Sequence, residues 1–184
     1  MENGVNDVVT AWLEQEEAFL ARQRSHGQPE DGGLARPEDA LPLTGLEMLQ
    51  GMIAGRFPAP PIAYTLRFFL LEVSDGHSVF QGEPRKEFFN PLGTVHGGWF
   101  ATLLDSALGC AVHSTILPGE RYTTMEFKVN LVRALAPDVP RVRALGRLRH
   151  RGRQMATAEA DLVGPDGRLY AHASTTCLIL PPRE

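Results

Sequence analysis

Apolar and polar positions alternate in two different ways along this chain. They divide it into an opening helical third and a strand-rich remainder. Residues 6–24, NDVVTAWLEQEEAFLARQR, set Val8, Val9, Trp12, Leu13, Ala18, Phe19 and Leu20 roughly at helical spacing. Acids between them give way to arginines at the end, as suits a helix dipole. Residues 25–42 lack such a period, are polar and rich in Gly and Pro, and predict a linker or mobile loop. A short helix is expected from Thr44, a suitable N-cap with Glu47 three residues on. Its apolar set is Leu46, Leu49, Met52 and Ile53, and it stops at Gly55.

After Pro61 the period becomes two. Residues 62–73 predict a strand, Ser74-Asp75-Gly76 a turn and residues 77–84 the returning strand of a hairpin. A long helix follows over about residues 95–114, broken at Pro118-Gly119. Residues 121–132 alternate cleanly, with Thr124, Glu126, Lys128 and Asn130 on one face and Met125, Phe127, Val129 and Leu131 on the other. Residues 139–149, 153–163 and 168–180 predict three more strands, the last two separated by the turn Pro165-Asp166-Gly167. This order predicts an α+β domain over residues 61–181, a curved antiparallel sheet wrapped around one long central helix. Residues 1–60 form an N-terminal helical extension and linker. The free edges of such a sheet favour pairing with a second copy.

Composition narrows the functional classes. A net charge of -4 lacks the basic footprint of a nucleic-acid binder. No apolar run approaches the roughly 20 residues of a membrane span. The first residues, Met1-Glu2-Asn3-Gly4, lack a basic region followed by an apolar one, so no secretory leader and a cytoplasmic location are expected. The two cysteines, Cys110 and Cys177, sit in apolar runs and read as small buried hydrophobes. No Cys/His grouping has ligand spacing, so neither metal nor cofactor is expected.

Chemistry concentrates in residues 90–113. On a helical wheel Phe100, Leu103, Leu104, Ala107, Leu108 and Ala111 make one broad apolar face. Asp105 lies on the other side, among Gly98, Ala101, Thr102, Gly109 and Val112, where small residues let a backbone or slender ligand approach. Burial there would raise its pKa and make it a better base; pairing with an arginine is the plain alternative. Gly97 and Gly98 open the helix with N–H groups that lack intrahelical acceptors, a donor site for a carbonyl oxygen. Arg141, Arg143, Arg147, Arg149, Arg151 and Arg153 recur at mostly even spacing, so they project to one face suited to phosphates or to solvent.

Asn90, His96-Gly97-Gly98 and Asp105, spaced Asn-x5-His-Gly-Gly-x6-Asp, resemble the signature of PaaI-type hotdog-fold acyl-CoA thioesterases. The resemblance covers about residues 61–180. It implies hydrolysis of an acyl-CoA by a homodimer, or a dimer of dimers, whose subunits pack sheet to sheet and share each active site. The Gly97 N–H would polarise the thioester carbonyl, with Gly98 beside it in substrate binding. Asp105 of the other subunit would act as general base or as nucleophile. Asn90 would help place the attacking group or the carbonyl, and His96 would shape the loop and hydrogen-bond near the substrate. Thr124 would orient water, with Thr123 the alternative by one position. Arg151 and Arg153 lie at the turn near which coenzyme A emerges in that family. A non-catalytic acyl-CoA binding or sensing module on the same fold is the competing expectation, against which the retained Asp105 and Asn90 weigh. A hydratase pairing Asp105 with His113 is a third.

Overall fold

The computed structural model describes residues 2–136 and 138–182; Met1, Pro137 and the last two residues lie outside it. Helices α1 (Glu2–Ser25), α2 (Pro37–Ala40), α3 (Gly45–Ile53) and α4 (Pro61–Leu66) precede the hairpin β1 (Phe68–Ser74) and β2 (His77–Gly82). The long helix α5 (Gly97–His113) follows, then β3 (Arg121–Leu131), β4 (Val142–Arg151), β5 (Met155–Val163) and β6 (Leu169–Leu180). The six strands form one antiparallel sheet in the order β1-β2-β4-β5-β6-β3, so β1 and β3 are its edges. The sheet curves around α5, which is the hotdog arrangement.

Side-chain size explains how closely the helix lies in the sheet. Leu103, Leu104, Ala107, Leu108 and Ala111 of α5 are fully buried. The surface that receives them is built largely of Ala144, Ala156, Ala158, Ala160, Ala171 and Ala173. At Gly146 the approach is closest: a Cβ there would stand 2.3 Å from the Ala107 carbonyl oxygen, which already accepts from the Ser78 hydroxyl at 2.7 Å. Small residues on the strands thus leave room for large ones on the helix, and the two interlock at interior density.

Strand β1 is buried on both faces. Phe68 and Leu70 join the main core, while Phe69 and Leu71 pack with Phe19, Ala59 and Ala63 beneath α1 and α4. Polar groups lock the same contact: Gln81 donates to Glu16 at 2.7 Å, Arg141 bridges Glu16 at 2.7 Å, and the Arg143 guanidinium stacks over Trp12. Helix α1 therefore covers the convex side of the sheet at its β1-β2-β4 end.

Four sequence expectations need correction. Residues 62–66 are helical, because Pro61 presets the first turn and Arg67, at φ 53°, ends the helix in a left-handed cap before β1 begins. The supposed linker contains the one-turn α2, also opened by a proline. Strand β3 carries a bulge between Thr124 and Glu126, so its alternation changes phase midway. The arginine row is split: Arg141 and Arg143 lie under α1, Arg147 and Arg149 lean on Glu159, and Arg151 reaches Glu120. The capping box at Thr44 and Glu47 is present as expected.

Candidate active site

Residues 88–96 form the loop that delivers the chain into α5. Asn90 organises it: its side-chain oxygen accepts from the Leu92 N–H at 2.9 Å and the Thr94 N–H at 3.3 Å, and its amide donates to the Thr94 hydroxyl at 2.9 Å. The Asn90 side chain is thus engaged in its own loop. His96 is the N-cap of α5, its Nδ1 accepting from the Gly98 N–H at 2.8 Å. An acceptor at Nδ1 places the imidazole proton on Nε2. That cap uses the Gly98 donor. The Gly97 N–H has no acceptor among the described residues, so the helix start offers one free donor rather than two.

Asp105 lies two turns further on, half-buried. Its one hydrogen bond comes from the Thr124 hydroxyl at 3.3 Å, and no cation pairs with it among the described residues. Burial raises its pKa, an effect the Thr124 hydrogen bond partly opposes. The neighbouring thiols are inert: burial, reinforced by Asp105, pushes Cys110 up to about 12, and Cys177 is raised as well. Asp105 is therefore a half-buried carboxylate without a cation partner among the described residues, beside thiols that stay protonated.

Strand β3 runs antiparallel to α5 and meets it at three points. Leu131 touches Gly97, where a Cβ would come within 2.8 Å of its Cδ1. Thr124 bonds to Asp105. Tyr122 sets its hydroxyl 2.9 Å from the position of a Gly109 Cβ, and its ring meets His113 edge-on at 5.4 Å. The bulge makes this possible. Thr124 pairs with Cys177, whereas Phe127, Val129 and Leu131 pair with Thr175, Ala173 and Ala171, all residues of the same sheet face. Thr124 and the apolar residues beyond the bulge consequently share the helix side. Thr123 is exposed and turned away, so Thr124 is the hydroxyl beside Asp105.

The remaining candidates lie apart. Arg151 is partly buried against Glu120 at 2.7 Å, and Arg153 is exposed without a carboxylate partner among the described residues. His113 does not converge on Asp105: two helical turns separate them by about 12 Å, and burial pushes the imidazole down to about 4. Trp99 is core packing, its indole N–H donating to the Leu66 carbonyl at 2.9 Å and its ring stacked on Phe88. Tyr122, the bulge at Met125 and the cap at His96 went unread in the sequence. The Tyr122-Thr123-Thr124 run opposite Gly109 was the available sign.

The family model described as the thioesterase superfamily matches residues 92–171, which include Gly97, Asp105 and Thr124. Over that stretch the chain matches a thioesterase-superfamily domain. Hydrolysis of a thioester is the class of reaction that goes with it. No curated protein matches the chain. Among solved structures, this thioesterase domain is similar to a putative thioesterase, a phenylacetic acid degradation-related protein from Ralstonia eutropha. That pair is 28% identical, covers 74% of this chain and 99% of the other, and has a TM-score of 0.64. It is similar also to a mutant form of phenylacetic acid degradation protein PaaI from Thermus thermophilus, at 27% identity, 64% and 97% coverage and TM-score 0.58. A hypothetical thioesterase protein from Streptococcus pneumoniae, solved with coenzyme A, matches at 26% identity, 64% and 88% coverage and TM-score 0.57.

Proposed function

We propose that this protein hydrolyses an acyl-CoA thioester to the free acid and coenzyme A, at a site shared between two copies of the chain. The observation that carries this reading is Asp105 itself: a half-buried carboxylate with no cation beside it and one hydroxyl, Thr124, holding it in place. A carboxylate kept there for stability alone would be paired.

Sharing follows from distance. Gly97 and Asp105 are eight residues apart on one helix, about 12 Å along its axis at ~1.5 Å per residue. An oxyanion donor and a base acting on one carbonyl carbon must both lie within about 3 Å of the reacting atoms. One chain cannot supply both. Edge strand β3 has the character of a surface meant for pairing, with Met125 62%, Phe127 40% and Leu131 54% exposed. An antiparallel, two-fold pairing of β3 with its copy, centred on Phe127, sets Leu131 of one chain opposite Thr123 of the other. Because Leu131 touches Gly97, Gly97 of the partner subunit then comes beside Thr124 and Asp105.

In the reaction, Asp105 takes a proton from a water that Thr124 helps to hold, and the resulting hydroxide adds to the thioester carbon. Gly97 of the partner subunit donates to the oxyanion. The C–S bond then breaks, and the coenzyme A thiolate recovers the proton from Asp105. Direct attack by the carboxylate, giving a mixed anhydride that water later opens, uses the same groups. His96 and Asn90 act one step back, by capping the helix and fixing the loop that present the Gly97 N–H. Arg153 and Arg151 are the cations assigned to the coenzyme A phosphates. The coenzyme A in the Streptococcus pneumoniae neighbour supports that class of ligand.

The test is release of free thiol from a panel of acyl-CoAs. Turnover abolished by Asp105→Asn is the expected result. Tight binding of acyl-CoAs without turnover by the wild type would instead make this a binding or sensing module.

A further inference from the structure

Past Tyr122, on the side away from Asp105, lies a cavity of about 260 Å³. Leu41, Leu43, Met48 and Ile116 line it together with His113 and Tyr122. Two of its sides come from different parts of the chain. Residues 40–48, the end of α2 and the start of α3, form one side, and the segment between α5 and β3 forms the other. The two are fastened together by backbone hydrogen bonds, Gly45 N–H to the Ile116 carbonyl at 3.0 Å and Gly119 N–H to the Leu41 carbonyl at 3.1 Å. Gly45 packs so tightly on α5 that a Cβ would stand 1.7 Å from the His113 carbonyl oxygen, so this closure is specific to a glycine.

The cavity is aligned with the catalytic face. Asp105, Gly109 and His113 follow one another at four-residue steps, which places them on one stripe of α5. Thr124 and Tyr122, two residues apart on β3, cover the first part of that stripe. Tyr122 alone of these borders both spaces: its hydroxyl rests on Gly109, one turn from Asp105, and its ring lines the cavity. The lining is mostly apolar, with Thr44, Glu120 and Arg121 its polar members, and its one imidazole is neutral at physiological pH. An apolar group fits against its larger, apolar part. The volume lies below the ~300–1,000 Å³ of sites that bury drug-sized ligands. That is room for a ring or a medium chain, not for a long fatty tail.

We propose that this cavity receives the acyl end of the substrate, that Tyr122 sets how far the acyl group reaches, and that the preferred acyl-CoAs carry a compact apolar group, an aromatic ring or a medium-length chain. This rests on the thioesterase reading of Asp105 and adds the substrate class. It also gives the N-terminal segment a function, since residues 40–48 lie outside the part matched by the family model.

The experiment measures kcat/KM for acetyl-, hexanoyl-, benzoyl- and palmitoyl-CoA in the wild type and in Met48→Trp, Leu43→Trp and Tyr122→Ala. Met48→Trp and Leu43→Trp, which fill the cavity from two positions, should each lower the hexanoyl-to-acetyl ratio about tenfold or more. Tyr122→Ala should move the optimum to longer chains. A ratio unchanged in the filled variants, with every chain length falling together or none falling, overturns the proposal. So does a wild-type profile that climbs unbroken to palmitoyl-CoA, a result that needs no variant to fold. If the wild type hydrolyses none of the four, the thioesterase reading itself fails and takes this inference with it.

Discussion

The two sides of α5 have opposite chemistry. Toward the sheet, Leu103, Leu104, Ala107, Leu108 and Ala111 are fully buried against alanines, and the buried Ser78 hydroxyl there is spent on the Ala107 carbonyl. Toward β3, the same helix carries Gly97, Asp105, Gly109 and His113, meets a bulged edge strand and leaves a carboxylate half in water. The first side is optimised for packing. The second gives up packing for access, and it depends on small residues, a strand irregularity and an open edge. Stability and activity are thus divided between two faces of one helix, so substitutions on the two faces should fail in different ways.

The largest effect is expected at Asp105. Asp105→Asn should lower turnover by about 10²–10⁴-fold, the usual contribution of a positioned base, with no loss of thermal stability. The sign of the stability change follows from its raised pKa. For such a group, stability is fully present below the unfolded value, near pH ~4, and declines as pH rises through the folded one. Removing the charge should therefore leave the variant at least as stable as wild type at neutral pH and equal to it in acid. A clear drop in melting temperature at pH 7 would make Asp105 a structural residue. The packing side should behave in the reverse way. Leu104→Ala should destabilise by about 2–5 kcal/mol in denaturant titration, while the fraction that remains folded keeps its kcat.

A smaller effect separates the hydroxyl from the base. Thr124→Val removes the hydrogen bond that lowers the Asp105 pKa, so that pKa should rise further. Since the ionised form is the active one, the acidic limb of the kcat/KM profile should move to higher pH. The rate well above that limb should change less. A limb that stays fixed would mean that Thr124 does not report on the group that titrates.

What could be read in the sequence follows the same division. The packing side of α5 was legible because a 3.6-residue period is repeated over five turns, and Asp105 stood out as its exception. The capping box at Thr44 was legible because two side chains three residues apart specify it. The access side was less so. The bulge at Met125 adds one residue to a strand without changing its composition, and a strict alternation therefore assigned Phe127 and Leu131 to the wrong face relative to Thr124. Helix α4 was hidden because Ile62, Tyr64 and Leu66 also suit a strand, and only Pro61 and the left-handed Arg67 mark the difference. The arginine row looked continuous because sequence spacing cannot reveal that α1 folds over Arg141 and Arg143.

The central claim is that Asp105 of one copy works with Gly97 of the partner subunit, and mixed dimers test it most directly. Gly97→Pro deletes the free N–H at the first helical position, where proline is tolerated, and His96 already has the extended ψ of 137° that a following proline requires. Asp105→Asn and Gly97→Pro should each be nearly inactive alone. After the two are unfolded and refolded together, each mixed dimer should hold one site with both groups intact. Random exchange would restore about a quarter of the wild-type rate, half of the dimers having one of two sites working. No recovery, in mixed dimers shown to have formed, would place both groups in the same chain and contradict the shared site.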